Sequence, residues 1–342
     1  MKRRATRDDV ARLAKTSTAV VSYVINNGPR NVSEEKRARV QDAMRQLDYF
    51  PNALARSLAA TSTSTVALIV PNISNSFFAE LARQIEEVAR NRGRIVFLGN
   101  SNESAELETA YVEAFVQQRV GGILIIGVAQ SAALARAAAS GIPVVVVDRA
   151  MVTDTEEIEW STVSIDHRSA ARIAVDHLLE HGHRQIACVT GPENQAVAED
   201  RRLGWADSLR SSGIDAERQL RLNSPFSLEG GNSAAEQFFA EKDPPRALFV
   251  ASDEQARGFV SYAAQLGVRV PDDIAIVSVD GTRESEFLNP PLTTAVQPYR
   301  LLAEAAIDSL DQSRHGGTQH TYLDTHLQIR RSCGCEHIAK EK

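Results

Sequence analysis

Hydrophobic residues follow two different spacings along this chain, and the change falls near residue 65. Before it, apolar positions recur at helical intervals in short blocks. Val10, Ala11, Leu13 and Ala14 make one narrow apolar face, and Thr6 precedes them with Asp8 and Asp9 in the first turn. A hydroxyl followed by acids at that spacing caps a helix and suits its dipole. The block breaks at Lys15-Thr16 and restarts after Ser17, a second N-cap residue. At about 100° per residue, Val20, Val21, Val24 and Ile25 share one side of this second helix. Thr18, Ala19, Ser22, Tyr23 and Asn26 share the other. Two short helices with so tight a break predict a helix-turn-helix. Asn26-Asn27-Gly28-Pro29 then signals a turn. Ser33 heads a third helix, in which Val40, Ala43, Met44 and Leu47 keep the i, i+3, i+4, i+7 pattern.

Past residue 65 the pattern becomes continuous apolar runs separated by helix-length segments. Runs at 66–70, 95–98, 122–126 and 144–147 are followed by others at 186–189, 247–250 and 274–277. Strand, helix, strand repeats of this kind predict parallel sheets covered on both faces, here two of them. A length of 342 residues, 43% hydrophobic, leaves room for about two to three globular units. Between the two regimes lies PNALARSLA at 51–59, shorter than the roughly 12–15 residues an isolated helix needs. It therefore requires a partner to form. A polar stretch at 61–65 reads as a linker.

Charge sharpens the division. Residues 1–60 carry twelve Lys/Arg against six Asp/Glu, and the remainder 26 against 38, beneath a total of −6. Only the first segment is basic, so nucleic acid belongs there. The small, hydrogen-bonding face of the second helix carries no acid and can enter a major groove without repelling phosphates. An ordinary solvated face would carry Lys and Glu, which are missing.

The chemistry that can be sought in the rest is mostly absent. There is no Gly-rich phosphate loop and no Gly-x-Ser-x-Gly elbow, so catalysis is not expected. His177, His181 and His183 have the spacing of a metal cluster. However, they lie in a stretch that reads as a helix C-terminus, where His suits the dipole and Gly182 ends the helix. No acid or Cys is obviously supplied as a further ligand. Cys333-Gly334-Cys335 reads as a C-terminal strand tail. Neither metal nor cofactor is expected. Three Cys give no disulfide framework. The N-terminus lacks the apolar core of a secretory signal, and no run approaches the ~18 apolar residues of a membrane span. A cytoplasmic location is expected, with no membrane contact.

The strings DDVARLA, STAVVSYVIN, VSEEKRARV and PNALARSLA resemble the LacI/GalR family of bacterial transcription regulators, and the similarity runs over essentially the whole chain. The resemblance implies an all-α helix-turn-helix DNA-binding domain (1–50) and a hinge helix with linker (51–65). After them it implies an α/β periplasmic-binding-protein-like, two-lobe effector and dimerisation domain (66–335) built on two parallel, doubly wound sheets, and a tail (336–342). The N-lobe would take about 66–160 and 292–321, and the C-lobe about 163–288 and 325–335. The chain would cross between them near 160–163, 289–293 and 322–325.

It also implies roles. Thr6, Ser17, Thr18, Ala19, Ser22, Tyr23 and Asn26 would meet the operator through or beside the major groove. Asn52, Ala55 and Leu58 would do so at the minor groove, with Leu58 wedged between base pairs. Phe77, Asp148, Arg201, Phe226, Ser252, Asp280 and Tyr299 would hold an effector at the strand ends, with Phe77 in the pocket and Phe78 in the core. The expected function is a repressor that binds a palindromic operator as a homodimer, controlled by a small metabolite, sugar or nucleoside-like. Control by a protein partner is an alternative, and so is a sugar-binding module without DNA function. Four departures from the family pattern stand out. Tyr23 replaces the usual Arg, Lys15-Thr16 the usual Gly-Val, Ser252-Asp253 the usual Asn-Asp, and Gly281 a frequent second Asp.

Overall fold

A computed structural model describes residues 5–26, 31–49, 64–127, 132–148, 160–193, 195–313 and 316–335. Asn52, Ala55 and Leu58, the turn at 27–30 and the tail at 336–342 lie outside them. The chain divides between residues 63 and 64 into two compact units.

The first unit is helical. Helix α1 (Arg7–Leu13) starts at Thr6, whose hydroxyl accepts from the Asp9 N–H while the Asp9 carboxylate accepts from the Thr6 N–H, a reciprocal capping box. It ends in a Schellman pair: the Thr16 N–H reaches the Ala11 carbonyl at 2.9 Å and the Lys15 N–H the Arg12 carbonyl at 3.3 Å. That closure holds Lys15 at φ +48°, the left-handed region where Gly is the least strained residue. Helix α2 (Thr18–Asn26) starts at Ser17, whose hydroxyl accepts from the Val20 N–H. Helix α3 (Glu34–Gln46) has Ser33 at its N-cap position, without the side-chain capping bond. Val10, Ala11, Ala14, Val21, Val24, Val40 and Ala43 form the core, with Val20, Ile25, Met44 and Leu47 packed around it.

The second unit contains two six-stranded sheets. The first sheet comprises β1 (Thr65–Val70), β2 (Ile95–Asn100), β3 (Ile123–Ile125), β4 (Val144–Val147), β5 (Ser161–Ile165) and β11 (His320–Leu323), in the order β11-β5-β4-β3-β1-β2, all parallel. The second comprises β6 (Ala187–Thr190), β7 (Arg221–Asn223), β8 (Ala247–Val250), β9 (Ala275–Asp280), β10 (Thr293–Val296) and β12 (His326–Gln328), in the order β12-β10-β9-β8-β6-β7. It is parallel except that β12 runs antiparallel to β10. The central strands are buried on both faces, which explains their unbroken apolar runs.

Helices cover both sheets: α4 (Ser76–Asn91), α5 (Ala105–Gln117), α6 (Ala132–Ala139), α7 (His167–Glu180), α8 (Ala196–Ser211), α9 (Leu228–Ala240), α10 (Asp253–Gln265), the short α11 (Arg283–Glu286) and α12 (Tyr299–Ser313). α12 returns to pack on α4 and the first sheet, whereas α7 and α8 pack together against the second. Glycines set the closest helix contact: a Cβ on Gly231 of α9 would lie 1.9 Å from the Gln255 carbonyl oxygen of α10.

The sheet memberships correct two of the expected crossings. Residues 161–165 are a strand of the first sheet, so the chain leaves the N-lobe at Asp166, not at 160–163. Residues 293–296 are a strand of the second sheet, so the return comes at 297–298, not at 289–293. Both strands are short and rich in Ser and Thr, and their polar character reads as loop. The third crossing falls at 324–325, between β11 and β12. A further expectation is overturned at the end of α7. His177 and His181 do have sulfur neighbours, because the chain brings Cys333 and Cys335 against them.

Candidate functional site

On the first unit, Ser17, Thr18 and Ala19 are exposed at the start of α2, with Ser22 and Tyr23 half-buried on the same face. This is the uncharged face that the helical period separates from Val21 and Val24. The Thr6 hydroxyl lies 2.7 Å from the Asp9 carboxylate within its capping box. Lys36 and Arg39 are exposed on α3, beside the exposed Glu34 and Glu35 of its first turn.

On the second unit, the C-terminal ends of the strands of both lobes converge, as open α/β sheets place their ligand sites. Asp148 follows β4, Asp280 ends β9, Ser252 follows β8, and Arg201 projects from the first turns of α8. Asn75, Phe77 and Phe78 come from the start of α4, and Phe226 from the loop before α9. These side chains, with Val197, line one small cavity. Tyr299, at the start of α12, packs on Phe77 with ring centroids 5.6 Å apart. All seven predicted pocket residues thus fall in one neighbourhood. Phe78 is buried in the core as expected, and its ring also reaches the cavity wall.

The polar geometry is tight. Arg201 Nη2 lies 3.1 Å from Asp280 Oδ1, both side chains almost wholly buried. Another Arg201 N–H donates to the Ala251 carbonyl, and the guanidinium carbon sits 5.9 Å above the Phe226 ring. Gln297 donates to Asp280 Oδ1 at 3.0 Å. His167 stands between the lobes, with Nε2 3.0 Å from the Asp148 carbonyl and Nδ1 3.4 Å from Arg201 Nε. Burial, reinforced by the Arg201 charge, brings His167 down to about 4, so its imidazole is neutral. Burial pushes Asp280 up to about 7, against the pull of Arg201. Both carboxylates stand on left-handed or extended-left backbone, φ +67° at Asp148 and +132° at Asp280, a strain that persists where surrounding structure enforces it.

Three buried polar atoms around the cleft have no hydrogen-bond partner among the described residues, Asp148 Oδ1, Gln297 Oε1 and the Tyr299 hydroxyl. Buried orphans are costly, at about 1–3 kcal/mol each, and mark where a ligand or water belongs. The cavity itself holds only about 30 Å³, room for a water but not for a sugar. Asn75 Nδ2 donates to the Phe226 carbonyl at 3.1 Å, and Ser76 Oγ to Glu254 Oε2 at 3.0 Å. These bonds close the N-lobe onto the C-lobe across the cavity mouth. A larger cavity of about 450 Å³ opens at the other end of the first sheet, lined by Trp160, Ser161, Ser313 and Gly316 among others. Among the described residues it has no charged lining side chain, and it lies away from the strand C-termini.

Sequence reasoning missed Asn75, His167, Val197 and Gln297. His167 and Gln297 flank the two displaced crossings, so their position at the cleft became legible only with the sheet memberships. Asp253 was named only beside Ser252. Its carboxylate is spent inside the fold, accepting from Ser278, Thr282 and Thr294. At Gly281 a Cβ would meet Val296 at 2.7 Å, so a side chain there requires a shifted β10.

Comparison with known proteins points the same way. Residues 6–52 match the profile of bacterial regulatory proteins, lacI family, and residues 175–333 that of the periplasmic binding protein-like domain. The HTH-type transcriptional repressor CytR of Escherichia coli is 34% identical over 331 residues, 96% of either chain. The crystal structure of the Lac repressor dimer bound to operator and the anti-inducer ONPF is 28% identical. It superposes with a TM-score of 0.82 over 97% of this chain and 99% of that one. The complex of the transcriptional regulator CelR with cellobiose is 27% identical, TM-score 0.70, over 96% of this chain and all of that one.

Proposed function

Because the chain belongs to the lacI family of bacterial regulatory proteins, and is thus a DNA-binding transcriptional regulator and not an enzyme, we propose that it is a cytoplasmic repressor. It binds a palindromic operator as a homodimer and answers to a small sugar or nucleoside-like effector held between its lobes. Thr18, Ala19, Ser22 and Tyr23 of α2 read the major groove, with Ser17, Thr6 and Asn26 beside them. The hinge segment, through Asn52, Ala55 and Leu58, engages the minor groove. The effector meets Phe77, Asp148, Arg201, Phe226, Ser252, Asp280 and Tyr299.

One observation carries the effector reading: the buried Arg201–Asp280 pair next to Asp148 Oδ1 and the Tyr299 hydroxyl, both without a hydrogen bond among the described residues, with Phe77 and Phe226 alongside. A ligand rich in hydroxyl or ring N–H groups supplies the donors Asp148 lacks. Its flat faces fit against the rings, and a guanidinium–carboxylate pair orients it by charge-assisted bonds. The relative solved with cellobiose holds a sugar.

The mechanism follows from the size of the cavity. At about 30 Å³ it admits an effector only if the lobes part or shift about the three crossings, a hinge motion. A ligand can bias that motion only by its differential affinity for the two arrangements, typically about 1–3 kcal/mol of coupling. The short hinge helix cannot stand alone, so operator affinity is sensitive to how the lobes hold its two copies. Dimerisation has a candidate surface in β2, an edge strand on which Ile95, Phe97 and Leu98 are exposed.

Selection of operators from random duplex DNA by the purified protein, with and without a panel of sugars and nucleosides, tests the reading. An enriched palindrome whose binding one compound alters supports it. A palindrome indifferent to every compound removes the effector claim, and no enrichment at all removes the DNA claim.

A further inference from the structure

Helix α7 joins two regions of the second unit. Its N-terminal residue His167 stands in the cleft. Its C-terminal end carries His177 and, one turn on, His181, whose rings lie 4.5 Å apart between centroids. Against that end the chain folds its last described residues. His177 Nε2 is 3.2 Å from Cys333 Sγ and 3.6 Å from Cys335 Sγ, and His181 Nε2 is 3.3 Å from Cys335 Sγ. The ligand atoms of His177, Cys333 and Cys335 all lie within 4.8 Å of one another. One imidazole and two thiols, more than 150 residues apart in sequence, thus share one point, and the second imidazole, that of His181, lies beside it against Cys335. We propose that His177, His181, Cys333 and Cys335 form a binding site for a soft divalent cation, zinc foremost, which staples the C-terminal segment to α7.

Three features fit this site. The first is spacing. A tetrahedral zinc with Zn–S of about 2.3 Å and Zn–N of about 2.0 Å sets sulfur and nitrogen about 3.5 Å apart, close to the three sulfur–nitrogen separations given above. Two thiolates with two imidazoles are also a donor set that selects zinc over hard cations. The second is charge. Both cysteines must lose their protons to solvent on binding, and a dication with two thiolates and two neutral imidazoles is electrically neutral, so the half-buried pocket gains no net charge. The third is support and access. Cys333 and His177 are buried, and Thr293 Oγ1 donates to Cys333 Sγ at 3.1 Å, the kind of outer contact that orients a ligand. His181 is exposed and Cys335 half-exposed, which leaves an entry path. Gly334, at φ +94°, lets the two cysteines turn toward one another without a side chain between them.

The staple has a defined place in the fold. α7 begins just past the first crossing and residues 326–335 follow the third, so a cation would tie together the C-lobe ends of two of the three strands linking the lobes.

Full-length reduced protein, stripped with a chelator, is titrated with Co2+ and then Zn2+. One Co2+ per chain, with the visible ligand-field bands of tetrahedral thiolate coordination and displacement by Zn2+, is the expected result. Cys335→Ser and His181→Ala, both at accessible positions, should each weaken binding by about 100-fold or more, since ligand loss removes a large share of the binding free energy. His183→Ala should leave it unchanged. Zn2+ should also slow the reaction of Cys335 with a thiol reagent. Absence of the bands at stoichiometric Co2+, or bands that persist in the Cys335→Ser, His181→Ala double variant, would overturn the proposal. The readout needs neither DNA nor effector, so it stands or falls separately from the regulatory reading.

Discussion

Arg201 and Asp280 pair at 3.1 Å inside the C-lobe, each side chain about 5% exposed, and every other polar feature of the cleft is arranged around them. Gln297 steadies the carboxylate, the Ala251 carbonyl and His167 steady the guanidinium, and Phe226 covers it. A buried pair of this kind is costly to break on one side, typically about 3–5 kcal/mol, because the remaining group keeps its burial cost and loses its partner, Asp280 then taking up a proton more readily still. Arg201→Ala is therefore expected to lower stability by several kcal/mol as well as to abolish the effector response. The added Asp280→Ala change should cost less in that background than alone, since it removes the stranded carboxylate. Chemical denaturation of the two single variants and the double closes the cycle. Strict additivity would mean the two groups do not depend on each other.

His167 and Asp280 titrate in opposite senses. His167 is held near 4, below its ordinary 6.5, so its contribution to stability is full above pH 6.5 and is lost as pH falls through 4. Asp280 is raised to about 7 from 3.8, so its contribution is full below 3.8 and is lost as pH rises through 7. Between about pH 4 and 6.5 the two slopes oppose one another, each worth up to about 1.4 kcal/mol per pH unit. Relative to the wild type, Asp280→Asn should leave a stability that climbs with pH across this window, and His167→Gln one that declines. Melting temperatures of the three proteins from pH 4.5 to 7 decide the point, and parallel curves would contradict it.

What could be read from the chain depended on how local the determining interactions are. The division of α2 into Val20, Val21, Val24 and Ile25 on one side and Thr18, Ala19, Ser22, Tyr23 and Asn26 on the other needs only the helical period; Val21 and Val24 are buried and Thr18 and Ala19 exposed, with Val20, Ile25, Ser22 and Tyr23 between. The central strands were legible because two-sided burial makes them uniformly apolar. β5 and β10 were not, since Ser161, Thr162, Ser164, Thr293 and Thr294 interrupt or replace the apolar signal while remaining in the sheet. Asp148, Arg201 and Asp280 were legible only through family resemblance, because a carboxylate at a strand end usually caps the next helix. The approach of Cys333 to His177 spans 156 residues, and no periodicity carries information over that distance.

Lys15 closes the Schellman turn between the two helices of the DNA-reading motif at φ +48°. A residue with a Cβ pays roughly 1 kcal/mol for that conformation, part of which Gly forfeits through its freer unfolded chain. Lys15→Gly should thus stabilise the first unit by about 0.5 kcal/mol, and Lys15→Val should destabilise it by more, because branching at Cβ aggravates the clash. Hydrogen exchange of the α1 and α2 amides in the full-length protein reports this unit directly. Slower exchange in the Val variant than in the Gly variant would show that the turn is not the strained element.

β2 closes one edge of the first sheet, bonded only to β1, yet Ile95, Phe97 and Leu98 are 61%, 41% and 47% exposed on it. Isolated exposed apolar residues are ordinary, but Ile95 and Phe97 point to the same face of an edge strand, and Leu98 adds an exposed apolar side chain on the other face. A two-fold contact would set this strand against its own copy and cover both. Phe97→Asp is expected to weaken the dimer by about 100-fold or more, through lost burial and the like charges brought together across the axis. The monomer should stay folded, since the side chain adds little to the lobe's own core. Sedimentation equilibrium with circular dichroism separates the outcomes. A folded monomer that has also lost operator binding places dimerisation on β2 and makes it a condition of DNA recognition, whereas an intact dimer moves the interface to another face.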